Sequence, residues 1–234
     1  MFTLYMPSTI LIAAAVIPAI ALLVQVYRAD RVEPEPPALL MRLVLYGIIA
    51  TSIAKLLERV GLFILNGMFR YETVLYDVLL YFGVVGFAEE GAKYVLLKRA
   101  TWRTPDFNCR FDGVVYAAFV SLGFALWENI GYVLMNGLGT ALLRAVTAIP
   151  GHACFGVFMG CWYAQAAALD RRGDEGASKA MRVMAVVVPA LLHGAYDFLA
   201  VSYYSSWYFL AFVLGLFLLT SVLIRKLSRE DRYI

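Results

Sequence analysis

Apolar residues in this chain fall into seven long stretches, about Pro7–Tyr27, Leu39–Leu65, Thr73–Leu97, Gly113–Leu134, Thr140–Leu169, Met181–Tyr203 and Trp207–Ile224. A helix rising 1.5 Å per residue needs about 20 apolar residues to cross a bilayer, and each stretch is near or above that length. None alternates apolar with polar residues as a membrane β-strand does. The pattern predicts an all-α, polytopic transmembrane helical bundle of about seven spans. Between the first two spans lies Arg28-Ala-Asp-Arg-Val-Glu-Pro-Glu-Pro-Pro37, whose prolines prevent continuous helix, so residues 28–38 are expected to be a cytoplasmic linker. No low-complexity tract or repeat separates parts of the chain. Residues 1–234 are expected to form a single membrane domain, with 73–203, the third to sixth spans, carrying its core helices.

Composition sharpens this. The 234 residues are 62% apolar and 16% charged, against roughly 25% charged in ordinary soluble domains. A soluble globular protein, a disordered chain and a nucleic-acid-binding module are excluded, and the net charge of +3 does not argue for nucleic acid. Its placement matters instead. Basic residues cluster at Arg28, Arg31 and Arg42; at Lys98, Arg99, Arg103 and Arg110; at Arg171, Arg172, Lys179 and Arg182; and at Arg225, Lys226, Arg229 and Arg232. The intervening connections hold little beyond Arg70 and Arg144. Positive residues mark the cytoplasmic side, which predicts an outside N-terminus, a cytoplasmic C-terminus and an odd number of spans. The first apolar run is longer than a signal-peptide core and lacks a basic start, so a retained helix is expected. Cys109, Cys154 and Cys161 form no disulfide framework. Tyr203, Tyr204, Trp207 and Tyr208 suit interface anchors.

The informative residues are charges inside these spans, each costing at least about 2.5–3.5 kcal/mol at mid-bilayer. The third span contains Phe87-Ala-Glu89-Glu90-Gly-Ala-Lys93. Glu89 and Lys93 have i,i+4 spacing with the acid first, the favourable order for an ion pair. Glu90 is left without an obvious local partner, a candidate for acid–base work. On this reading Glu89 pairs with Lys93 and Glu90 holds water. The fourth span carries Glu128 and Asn129. In the fifth, His152, Gly156, Gly160 and Ala164 follow at four-residue steps. His193 and Asp197 share a helix face in the sixth, where the carboxylate can orient the imidazole. Both histidines of the chain lie in membrane spans. Counting residues from the basic loops puts Glu89, Glu90 and His193 roughly 12–17 Å deep, with Glu128 and His152 further towards the outer side.

Individually these features have structural explanations: an ion pair, a hydrogen bond between helices, packing. Jointly, on four consecutive spans, they favour one polar site. Two histidines with Glu128 offer a zinc site with an open water position. The alternative from another class is a proton- or cation-coupled transporter or channel, although no inverted repeat or interrupted helix is evident.

Glu89-Glu90-x-x-Lys93, Phe124-x-x-x-Glu128-Asn129, His152 followed by Gly156, and His193-x-x-x-Asp197 resemble the signature of the PrsW-type intramembrane proteases. These are related to the CAAX-processing and bacteriocin-immunity membrane proteases. The wider group often has Arg after the glutamate pair and His in the second motif; Lys93 and Glu128 stand there in this chain. The resemblance implies a multi-pass peptidase of the bacterial plasma membrane acting on a membrane-anchored protein substrate, in bacterial members an anti-sigma factor during envelope stress. It is classed as a metallopeptidase group, whereas the CAAX relatives suggest metal-free catalysis. The expected catalytic residues are Glu89, Glu90, Glu128, His152 and His193, supported by Lys93, Asn129 and Asp197; His152, His193 and Glu128 are the ligands if zinc binds.

Overall fold

The computed structural model describes residues 8–71, 73–201 and 206–234. It is a helical bundle comprising α1 (Ser8–Ala29), α2 (Pro37–Met68), α3 (Val74–Val78), a π-helical segment (Leu79–Val85), α4 (Gly86–Thr101), α5 (Arg110–Asn136), α6 (Leu138–Val146), α7 (Ala148–Asp170), α8 (Glu175–Val201) and α9 (Ser206–Arg229). Six helical stretches are long and apolar enough to cross a membrane. The third expected span is not among them: it is helical from Val74 to Thr101, but its π turn and its charges at Glu89, Glu90, Lys93, Lys98 and Arg99 set it apart. The anchors expected at Tyr203 and Tyr204 lie outside the described residues. Trp207 and Tyr208 are strongly exposed, as an interface position requires.

Helix α5 is the hub. It is buried along most of its length and packs most extensively on α7, then on α2 and α1. The small-residue stripe of α7 explains the first contact. A Cβ at Gly156 would lie 2.8 Å from Ser121 Cβ and 3.0 Å from the Ala117 carbonyl, so only glycine lets the two backbones approach this closely. Large apolar side chains such as Phe63 and Leu218 point outward, 82% and 69% exposed, as a lipid-facing surface demands.

Two predicted boundaries differ. The fifth apolar stretch is not one helix: it breaks at Thr147, and α7 restarts with Pro150 in its first turn, where the missing N–H costs nothing. The connection between α1 and α2 narrows to residues 30–36, with Pro36 and Pro37 starting α2.

Candidate active site

Helices α4, α5, α7 and α8 bring the polar motifs together. The π segment runs directly into Gly86, and a Cβ at Gly86 would collide with the Ala190 carbonyl of α8. Gly194 of α8 meets Phe82 of the π segment equally tightly, its Cβ falling 2.8 Å from Phe82 Cα. These two glycines seat α8 against the start of α4. His193 thereby reaches Glu90, with Nδ1 2.9 Å from Oε1.

Lys93 is the centre of the arrangement. Its fully buried ammonium donates to Glu90 Oε1 at 2.7 Å and Glu89 Oε2 at 3.3 Å, and meets His152 Nδ1 at 3.1 Å. Three donors thus meet three acceptors, and the Phe124 ring lies 4.0 Å from the ammonium on another side. The expected i,i+4 pair to Glu89 forms, but the i,i+3 pair to Glu90 is the shorter one.

The same contact sets the tautomer of His152. An ammonium can only donate, so Nδ1 must accept, and Nε2–H is left to donate to Glu128 Oε2 at 3.1 Å. Glu128 Oε2 also accepts from the Arg144 guanidinium at 2.6 Å. Arg144 Nε donates to Asn129 Oδ1 at 2.9 Å, and Asn129 Nδ2 donates to the Ala15 carbonyl of α1. Asn129 therefore holds Arg144 rather than facing the cavity. The remaining nitrogen of His193 lies 3.5 Å from Asp197 Oδ2, so the expected i,i+4 pairing is present but longer than the bond to Glu90.

A cavity of about 540 Å³ opens beside these groups. Glu89, Glu128, His152, His193 and Asp197 line it; Glu90 and Lys93 lie behind its wall. Lys55 and Glu58 of α2, Tyr81 of the π segment, Arg144 of α6 and Tyr196 of α8 also line it. Sequence reasoning restricted the site to the third to sixth spans and treated Arg144 as a loop charge. Lys55 and Glu58 carried a usable signal, since they too are charges inside an apolar stretch. Arg144 carried the same signal, standing inside the Thr140–Leu169 stretch, but its partner did not show, because the pairing with Glu128 depends on how α6 folds back over α5.

One donor atom each from Glu89, Glu90, His152 and His193 lies within 4.8 Å of the others. Imidazole and carboxylate donors beside an open cavity are the types a divalent transition metal takes, and a metal there would replace the Lys93 ammonium as the partner of Glu89, Glu90 and His152. Glu128, expected among the ligands, stands apart from this group on the far nitrogen of His152.

A polytopic helical bundle with buried glutamates and histidines around an internal cavity is the architecture of an intramembrane hydrolase. The model of the PrsW family of intramembrane metalloproteases matches residues 35–224, and the chain belongs to that family. Protease PrsW of Bacillus subtilis is 33% identical over 212 residues, covering 88% of this chain and 90% of the relative. That of Geobacillus kaustophilus is 33% identical over 227 residues, covering 95% and 93%. Protease PrsW of Clostridioides difficile is 30% identical over 219 residues, covering 92% and 89%. No solved structure matches. The protein is a multi-pass bacterial membrane protease, and its substrate is protein.

Proposed function

We propose that this cavity hydrolyses a peptide bond of a membrane-anchored substrate, with Glu89 as the base that activates water. The observation behind this assignment is that Glu89 lines the cavity, whereas Glu90 is fully buried and shares its Oε1 between Lys93 and His193. The roles are therefore the reverse of those the i,i+4 spacing alone suggested. Glu89 takes a proton from water as it attacks the scissile carbonyl. Glu90 accepts from His193 Nδ1–H and fixes that ring; as the imidazolium, His193 also carries a proton on Nε2, beside Asp197, which it donates to the oxyanion or the leaving amine. Arg144 and His152 hold Glu128 in place. If a metal is bound, Glu90, His152 and His193 would hold it, leaving a position for water and Glu89 free. The metal would make that water more acidic and polarise the carbonyl.

The cavity is lined by the C-terminal ends of α5 and α8, at Met135 and Val201, which the positive-inside pattern places on the outer side. A substrate cut there presents its outer membrane-proximal segment, which suits regulated cleavage of a membrane-anchored anti-sigma factor. The test is Glu89→Gln and Glu90→Gln, each assayed on a membrane-anchored reporter and by thermal unfolding in detergent. Glu89→Gln is expected to lose about 10²–10⁴-fold in rate with folding intact. Glu90→Gln is expected to lose stability as well, since it removes the closest partner of a buried ammonium. If Glu89→Gln cleaves at the wild-type rate, the assignment fails.

A further inference from the structure

A second group of buried carboxylates has no part in this chemistry. Asp30 and Glu35 lie in the connection between α1 and α2, and Asp112 in the first turn of α5, about 24 Å along that helix from Glu128 at 1.5 Å per residue. One oxygen from each lies within 4.8 Å of the others. All three residues are at least nine-tenths buried, at 7%, 4% and 1% exposure. Among the described residues, no lysine, arginine or histidine comes within 4.0 Å of any of their oxygens. Even Arg110, two residues before Asp112, makes no ion pair with it.

The hydrogen bonds that do form leave oxygens over. Glu35 Oε2 accepts from the Tyr116 hydroxyl at 2.6 Å. Asp112 Oδ2 accepts the backbone N–H groups of Cys109 and Asn108, fixing the start of α5. Asp112 Oδ1 and both oxygens of Asp30 have no hydrogen-bond partner. A buried carboxylate with neither counter-charge nor donor is strongly unfavourable. Protons can neutralise the carboxyls, but both Asp30 oxygens and Asp112 Oδ1 would still lack a protein donor. A hard cation, which takes six to eight oxygen ligands, matches several oxygens converging from three carboxylates.

We propose that Asp30, Glu35 and Asp112 bind a hard divalent cation, Mg²⁺ or Ca²⁺, that staples the α1–α2 connection to the start of α5. The donor set is all oxygen, unlike the mixed imidazole and carboxylate set of the active site, so the two positions select different ions. Binding ties down a seven-residue connection, residues 30–36, that its prolines keep out of helix. It is independent of the catalytic assignment above.

The test uses the full chain in detergent, stripped with EDTA, with thermal unfolding followed as Mg²⁺ or Ca²⁺ is added. Asp30→Asn is the informative variant, because its oxygens make no hydrogen bond to lose while a negative charge is removed. Wild type is expected to gain about 2–6 °C at saturating cation. Asp30→Asn is expected to melt above wild type in EDTA, to gain nothing from the cation, and so to cross below it. Asp30→Ala should show the same lost response. The arm giving the larger shift identifies the ion. A wild type that ignores both cations would show that protons neutralise the cluster and would overturn the proposal. Equal responses in wild type and both variants would place the cation elsewhere and overturn it as well.

Discussion

Lys93 concentrates the energetics of the active site in one side chain. Its ammonium is fully buried and spends all three donors on Glu90, Glu89 and His152, so each partner depends on it for charge or hydrogen bonding. Lys93→Met keeps the volume but strands two buried carboxylates. Breaking a buried pair this way costs about 3–5 kcal/mol, and the loss is expected as a lower melting temperature together with lost activity. The sharper measurement is the double variant Lys93→Met with Glu90→Gln. Removing Lys93 together with its closest partner leaves one stranded carboxylate instead of two, so the two losses should fall short of additive by about 0.5–3 kcal/mol. Strict additivity in detergent unfolding would mean that the two groups do not share an interaction. Lys93→Arg is no conservative replacement, since a planar guanidinium cannot match three acceptors arranged around a point charge.

At the scale of elements, the site depends on how closely α8 meets the π segment and α4. Gly194→Ala puts a Cβ 2.8 Å from Phe82 Cα, in a backbone contact that can only separate. Overpacking of this kind costs about 1–3 kcal/mol. It is expected to reduce cleavage more than stability, because His193 moves away from Glu90. Gly91→Ala is the control: it lies in α4 with nothing within 4 Å of its Cβ, and should be neutral or stabilising by up to about 1 kcal/mol. Equal effects of the two on cleavage would exclude this packing as the positioning device. These elements also mark how far the sequence could be read. Long spans were legible because bilayer thickness fixes their length, and the α7 stripe because its four-residue period survives in one dimension. The π turn at Leu79–Val85 and the Glu128–Arg144 pair arise from contacts between distant segments, and no local period records them; the break at Thr147 did have a local sign in Pro150. Both glutamates were legible as a pair, but which of them faces the cavity was not, because that depends on rotation of α4 against α8.

For the whole molecule, the cavity and the acidic cluster occupy opposite ends of α5. Asp112 stands in its first turn, while Glu128 and Met135 lie towards its C-terminal end. Every basic cluster in the loops sits at the end shared with Asp112, and the cavity mouth at Met135 and Val201 sits at the other. The positive-inside pattern therefore predicts that the mouth opens to the cell exterior and that the tail after α9 is cytoplasmic. Thiol labelling in intact cells checks this directly. Cys109, Cys154 and Cys161 are replaced by alanine, and single cysteines are introduced at Met135, 84% exposed, and at Arg229. A membrane-impermeant maleimide is expected to label Met135→Cys in intact cells and Arg229→Cys only after permeabilisation. Catalysis needs water at Glu89, and Met135 lines the same cavity, so labelling there also reports a route for water from outside. The reverse pattern would put the mouth on the cytoplasmic side. A substrate cut from outside would then be incompatible with the fold, even with Glu89 as the base.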